Sequence, residues 1–499
     1  MAETTSDESG SAVEKYDVII VGGGIGGVVA GGLLARSGAG VLLIEQGAHV
    51  GGCAATFSHR GYRFDAGATI GCGFHRGGPM HWLAEQLDIT WPLRPLPVAW
   101  EYCDGILNLP LDPARISLLQ QFPESRGFWR EQAELADSLW DLSECLLALY
   151  GQGRMQQSIS LGACLLPRIK DVRLLRLALM SVAQWLKGHG LADNKAFCRF
   201  IDAQLLISAQ TTAGNCNALF AALSLDLPRR SPCVFDGGIG SVAELIRQAM
   251  VKNGGQVRLG EKVQSFTLKG KKISEVVTEK GRYRAKEVVL NGSSVTLASL
   301  LGKQLAGVGG GDVSGRAAWS AFVLHLGVED TIMAERPGDH LQLLRPESIG
   351  LAEGDSLFLS ASPLTDATRA PIGKRAITLS THTKVGPWWQ AWGQGKEAYR
   401  SLKAEYTEAA LNVAEGYIPG MRRGMDLCLA GSPVTYARYT GRHLGLVGGY
   451  TQTKLQAPKQ NLFGLKNCTL VGDNSFPGQS VAGVTVGATM AVDTLLRQL

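Results

Sequence analysis

Both ends of the chain are built from short apolar runs, most of them stopped by glycine. Residues 16–21, Tyr16-Asp17-Val18-Ile19-Ile20-Val21, are β-branched and run straight into glycine, which predicts a buried strand. Residues 28–36 predict a helix that stops at Ser37-Gly38, and residues 41–44 predict a second apolar strand closed by Glu45. The alternation returns in the middle of the chain. Residues 242–252 have a helical pattern stopped by Gly254-Gly255, and 256–259 and 263–268 read as strands. Residues 273–278 and 281–285 predict a hairpin, with a further strand at 288–290. At the far end residues 468–471 predict a strand and 474–481 a loop, after which a final helix opens at Ala482. Strands alternating with helices predict an α/β fold, doubly wound and three-layered. The first fifteen residues carry Glu3, Asp7, Glu8 and Glu14 among Ser and Thr. They are expected to be a disordered tail rather than a secretion signal. No apolar run reaches the ~18 residues of a membrane span.

The first strand-to-helix turn carries chemistry. Gly22-Gly23-Gly24-Ile25-Gly26-Gly27 supplies G-x-G-x-x-G at Gly22, Gly24 and Gly27, and Glu45 follows 23 residues after Gly22. That motif alone is weak, but strand, glycines, helix, strand and acid is the order a dinucleotide site needs. Gly22 allows the tight turn, Gly24 the approach of a pyrophosphate, and Gly27 close helix–strand packing. The helix N-terminus offers free N–H groups to phosphate, and Glu45 can accept from a ribose diol. A second glycine pair, Gly51-Gly52, lies close behind and suits a longer ligand, which favours FAD over NAD. At the other end Gly472-Asp473 closes a strand ahead of a glycine-bearing helix, an order that also points to cofactor.

Composition narrows the class. At ~150 residues per domain, 499 residues predict two or three. The 63 glycines have no collagen period, and 34 of them fall in residues 21–78, 236–260 and 431–487, the windows that hold these motifs. A net charge of +5 gives no reason to expect nucleic acid. The ten cysteines, Cys53, Cys72, Cys103, Cys145, Cys164, Cys198, Cys216, Cys233, Cys428 and Cys468, contain no C-x-x-C pair. They are expected to be buried free thiols, with no metal site.

Residues 16–67, 236–268 and 431–487 together resemble the flavin-dependent phytoene desaturase and carotenoid isomerase family, within the amine-oxidase-like flavoproteins. The stretch from Asn217 through Asp226 to Pro228 also fits, as do Ser432-Pro433-Val434-Thr435, Tyr439, Gly445 and Gly449. The resemblance implies a cofactor site made by Gly22, Gly24, Ile25, Gly26, Gly27, Glu45, Gln46, Gly51, Gly52, Cys53, Ala68, Val263, Gly472, Asp473, Gly483 and Val484. In that set Val263 offers backbone to the adenine, Asp473 holds the pyrophosphate–ribityl end, and Gly483-Val484 lie beside the flavin. Many relatives carry Arg where Cys53 stands, and the cysteine is more like the branch of carotenoid isomerases and 3,4-desaturases. The implied organisation is a discontinuous FAD-binding domain (16–80, 226–311, 431–499) interrupted by an α+β substrate domain (81–225, 312–430). The glycine run at 307–311 marks one boundary. The implied activity is carotenoid desaturation or cis–trans isomerisation on an apolar isoprenoid. A flavin oxidase or saturase of another isoprenoid or amine, and a flavin-binding subunit without catalysis, stay open.

Residues 154–187 carry Arg154, Arg168, Lys170, Arg173, Arg176 and Lys187 against Asp171, among Leu174, Leu175, Leu177, Leu179, Val182, Trp185 and Leu186. This basic, apolar helix suits an anionic bilayer face, so peripheral membrane attachment on a cytoplasmic or stromal side is expected. Trp388, Trp389, Trp392 and Tyr399 form an aromatic cluster that either lines an apolar tunnel or is core. His75 follows the 61–67 turn, and His325 is expected to be a strand residue with its hydrogen bond satisfied. No catalytic base is assigned.

Overall fold

The computed structural model describes residues 3–6, 12–169, 172–303, 319–334, 338–346, 348, 350–449, 451–455 and 463–499. Alternation within the apolar runs decides how the first sheet is covered. In the strand Ala12–Val21, Val18 and Ile20 face one layer while Tyr16, Ile19 and Val21 face the other. The strand Val41–Ile44 divides the same way. Five strands run parallel, in the order Gln256–Arg258, Val41–Ile44, Ala12–Val21, Arg282–Asn291, Cys468–Val471. The helices Ile25–Arg36, Gly240–Lys252 and Ser480–Leu496 pack together on one face. The antiparallel strands Val263–Lys269 and Lys272–Thr278 flare off the first half of Arg282–Asn291. The chain therefore folds as mixed α/β with a Rossmann-like domain. Residues 281–285 and 288–290 are parts of one strand, because its first half pairs with Val276–Val277 and its second with Cys468–Val471.

The tail reading fails for part of residues 1–15. Glu3–Ser6 pairs antiparallel with residues 12–15, and Glu14 and Lys15 continue the parallel ladder opposite Tyr283 and Arg284. The long strand 282–291 offers backbone beyond Tyr16, and Glu14 is held there by Arg258 at 3.0 Å.

A second sheet of seven strands is mostly antiparallel. Its order is Met425–Gly431, Trp319–Glu329, Lys374–Lys384, Ser356–Ala361, His340–Leu344, Glu101–Cys103, Asn108–Pro110. The helices Val385–Gln394 and Lys396–Tyr417 cover one face. Trp388 is fully buried there, stacked on Phe322 and donating to Thr383, and Trp389 donates to Leu444 O. Trp388 is core rather than tunnel wall, and Trp389 is half-buried against the same cluster. A helical layer, including Arg126–Ala148 and Lys195–Ala209, packs beside Trp100 and Tyr102.

Two sequence readings change in that layer. The basic segment is three helices, Arg154–Ile169, Val172–Ala178 and Val182–Gly188, rather than one. Ser181 breaks it by capping the third with Gln184 in a reciprocal box, and Trp185 turns into the core. Cys145 and Cys164 form a disulfide, so they are not free thiols. The turn between Arg126–Ala148 and Arg154–Ile169 brings them together across 19 residues, a spacing with no sequence signature. Arg168, Lys170, Asp171 and the glycine run 307–311 lie outside the described side chains or residues.

Candidate functional site

The site lies where the parallel order turns back, at the carboxyl ends of Ala12–Val21 and Arg282–Asn291. Open α/β sheets bind ligands at such a switch point. Gly22 leaves the first strand at φ +98°, where a side chain would be strained. The helix Ile25–Arg36 then starts without a side-chain cap and without an acid in its first turn, while Ile25, Gly26 and Gly27 are buried. A buried, uncapped N-terminus directs unpaired N–H groups and a positive dipole end outward.

The neighbours close in to backbone distance. A Cβ on Gly26 would lie 2.8 Å from Gly472 N, so the glycine loop touches the turn after the last strand. A Cβ on Gly27 would run into Gly22 O. Asn291 sits beneath this loop. Cβ atoms on Gly24, Gly26 and Gly472 would each meet its carboxamide, at 2.5, 2.9 and 2.7 Å. Sequence reading missed Asn291, although a polar residue ending an apolar parallel strand before Gly292 was a usable signal.

The acid and the second glycine pair are fixed by backbone. Glu45 accepts from Gly23 N at 2.6 Å and Gly47 N at 2.7 Å. Glu261 N donates to Glu45 O, which brings the start of Val263–Lys269 beside this acid. Gly51 (φ +114°) donates to Gly23 O, and Ala68 N donates to Cys53 O. Gln46 approaches Gly441. Gly483 and Val484 lie in the first turn of Ser480–Leu496, which carries no acid and where Gly483 N donates to Ser480 Oγ at 3.1 Å. The structure thus gathers Gly22, Gly24, Gly26, Gly27, Glu45, Gly51, Cys53 and Gly472 around one crevice. By contrast, the glycine turn at 237–240 is filled by protein. Gly240 N is capped by Thr56, Ile239 N by Asp65 and Gly237 N by Asp366.

Asp473 carries a partner the sequence did not reveal. Arg442 Nη2 lies 2.9 Å from its Oδ2, Arg442 Nη1 donates to its Oδ1 at 3.1 Å, and Arg442 Nε donates to Leu446 O. Burial opposes the charge on Arg442, but Asp473 outweighs it and holds the guanidinium above its ordinary value. Burial pushes the adjacent Cys53 thiol up, so position 53 stays neutral and the cation beside it comes from Arg442.

Burial holds four histidines neutral. Burial lowers His75 to about 4, its ring sits against Trp140, and its Nδ1 has no partner. His325 is buried on Trp319–Glu329 between Phe57 and Phe64 and is lowered to about 3, but its Nδ1 is unpaired, contrary to expectation. Burial lowers His340 and His382 to about 4. Unfolded histidines titrate near ~6.5, so below that pH the unfolded chain binds more protons. Stability should fall by about 1.4 kcal/mol per pH unit for each of His325, His340 and His382 between pH ~6.5 and ~4. Denaturation midpoints at pH 7 and pH 5 check this, and His340→Leu should flatten the slope. A midpoint independent of pH would contradict it. Among the described residues no group of His, Cys, Asp and Glu could hold a metal ion.

Residues 20–87 match the family model for an NAD(P)-binding Rossmann-like domain. Prolycopene isomerase 1 of the Oncidium hybrid cultivar is 24% identical over 519 residues, covering 97% of this chain and 84% of that protein. The lycopene-forming phytoene desaturase of Pantoea ananas is 24% identical over 503 residues, covering 96% and 99%. The chain is a homologue of prolycopene isomerases and phytoene desaturases. Cyclohexylamine oxidase from Brevibacterium oxydans shares the fold, with a TM-score of 0.60 at 15% identity over 97% of this chain and 99% of that one.

Proposed function

We propose that this homologue of carotenoid isomerases and desaturases is an FAD-dependent enzyme that desaturates or isomerises a long carotenoid. One observation carries the cofactor half: the buried, uncapped start of Ile25–Arg36 meets Gly472 with no acid in its first turn. Those N–H groups suit a pyrophosphate, Glu45 a ribose, and the segment from Glu261 to Val263 an adenine. Near-full-length similarity to carotenoid-acting proteins supports the substrate half. Residues 16–80, 226–311 and 431–499 form the FAD-binding domain in this reading, and 81–225 with 312–430 the substrate domain.

Flavin, when bound, supplies the redox chemistry. The chain's task is to hold and to exclude. The start of Ser480–Leu496, with no acid in its first turn, would stabilise negative charge on a flavin held beside it. Arg442 supplies the fixed cation near the pyrophosphate. Arg442→Gln should lower FAD affinity about tenfold or more, the value of one charge-assisted contact. Titration of apoprotein measures it, and unchanged affinity would remove Arg442 from the site.

The substrate must come out of a membrane. Among the described residues no helix is long and apolar enough to cross one. Met155, Ile159, Leu166, Leu175 and Leu179 are exposed on Arg154–Ile169 and the segment after it, with Leu179 89% exposed. Arg173 and Arg176 are paired with Glu134 and Glu131, so attachment there is apolar more than electrostatic. Leu175→Glu with Leu179→Glu should cut co-sedimentation with lipid vesicles at least about tenfold, as two buried leucines are worth about 1.5–3 kcal/mol each. Binding that survives the pair and vanishes in salt would contradict an apolar face.

Turnover tests the function. A carotenoid offered in vesicles to flavin-loaded protein should lose two hydrogens with a red-shifted spectrum, or keep its mass with altered geometry. The first outcome is desaturation and the second isomerisation. No turnover of any polyene removes the reading.

A further inference from the structure

The helix Arg154–Ile169 has two opposed faces. Met155, Ile159 and Leu166 are 60–80% exposed. Ile159 lies 4 residues and Leu166 11 residues after Met155, which brings all three to one side of a helix with 3.6 residues per turn. Cys164 stands nine residues after Met155, two and a half turns on, so it lies on the opposite side. It is buried and bonded to Cys145 of Arg126–Ala148. One face of the helix is therefore apolar and open, and the other is stapled to the body of the protein.

The staple sits where the helix is weak. Gln157 holds the first half, donating to Asp493 Oδ2 at 2.8 Å and to Leu149 O at 3.3 Å. The second half contains Gly162 and Pro167, both poor residues for a helix interior. A Cβ on Gly162 would meet nothing within 4 Å, so no neighbour packs on the helix at that point. A helix of 16 residues with such a sequence is marginal in water by itself. The disulfide closes a loop over 19 residues and restricts what the opened chain could explore. An apolar face that is already ordered loses less entropy when it enters a bilayer. We propose that Cys145–Cys164 is a redox latch: it holds Arg154–Ile169 ready for the membrane, and a dithiol reductant releases it. The proposal rests on the membrane attachment read above. Cys145 is half-buried and Cys164 buried, so the thiolate of the dithiol attacks Cys145 Sγ. The Sγ–Sγ bond breaks, and Cys164 leaves as a thiolate that takes up a proton. The second thiol of the dithiol then displaces Cys145 in the same way. Two electrons pass to the pair, which ends as two thiols, and the dithiol ends as a cyclic disulfide.

Vesicles of phosphatidylcholine test this, because their neutral surface leaves apolar attachment to be measured. Oxidised protein should co-sediment with them at least about fivefold more than protein reduced with dithiothreitol. Amide exchange over residues 154–169 should speed up on reduction, and reoxidation should restore both readings. The Cys145→Ser/Cys164→Ser protein should behave as the reduced form and ignore the reductant. Equal binding of the oxidised and reduced forms overturns the proposal while leaving membrane attachment intact. A response to reductant that persists in the double variant also overturns it, since another thiol then carries the effect. Flavin content should stay the same throughout, and its loss on reduction would mean that the disulfide holds the fold rather than the helix. Protein that binds vesicles in neither form defeats the attachment and the latch together.

Discussion

Gly27→Ala should yield a folded protein that has lost most of its flavin. The added methyl would occupy the position of Gly22 O and press on Asn291 Cβ. Both obstacles are fixed: one is backbone, and the other belongs to a residue locked in the central strand. The loop and the helix start must therefore separate, which misaligns the N–H groups that would face a pyrophosphate in the proposed site. Overpacking of this kind costs about 1–3 kcal/mol in the fold. The larger effect falls on the ligand, because several charge-assisted contacts shift together, and FAD affinity should drop at least about a hundredfold. Gly393→Ala is the control. Gly393 lies within Val385–Gln394, and a Cβ there meets nothing within 4 Å. It should leave affinity unchanged and stability equal or better. Equal flavin content in the two variants would contradict the geometry of the loop.

The largest stability effect should come from Asp65→Ala. Asp65 and Arg369 are each 6% exposed and 3.0 Å apart. Asp65 also accepts from Thr56 Oγ1 at 2.7 Å and Ile239 N at 3.1 Å. One carboxylate therefore ties the 61–67 turn to the 236–241 turn and to a loop of the second sheet. Removing it strands the Arg369 guanidinium, and breaking such a pair costs about 3–5 kcal/mol. Replacing both by Leu should restore much of the loss, because no charge is then left alone. The exposed pair Arg94–Asp236 gives the contrast, and Asp236→Ala should cost under about 1 kcal/mol. Denaturant midpoints of the three variants decide this. A double variant no more stable than Asp65→Ala would mean that the pair matters for packing rather than charge.

The parallel sheet was legible because its signals are local. Residues 16–21 and 468–471 are apolar strands stopped by glycine, 41–44 is one closed by Glu45, and glycine marks where backbone must approach backbone. Glu45 was readable from its distance to Gly22. Arg442 was not, since its carboxylate is 31 residues away and only the fold joins them. Asn291 is a polar residue with no periodicity, and its importance comes from the glycine loop and the turn at Gly472 that close on it. The segment 154–187 was read as one helix because apolar and basic residues run through it. A capping box at Ser181 redirects Trp185 inward, and composition hides that. The disulfide Cys145–Cys164 was invisible for the same reason: only the helical turn sets its partners at a Cα distance of 6.2 Å.

The central claim is that three separated pieces of chain build one FAD site. Purified protein, denatured to release what it holds, answers it most directly. The account predicts one FAD per chain, identified by mass and absorbance, with Gly27→Ala protein giving little. Release of a nicotinamide dinucleotide in its place, or failure of apoprotein to take up FAD, would contradict it.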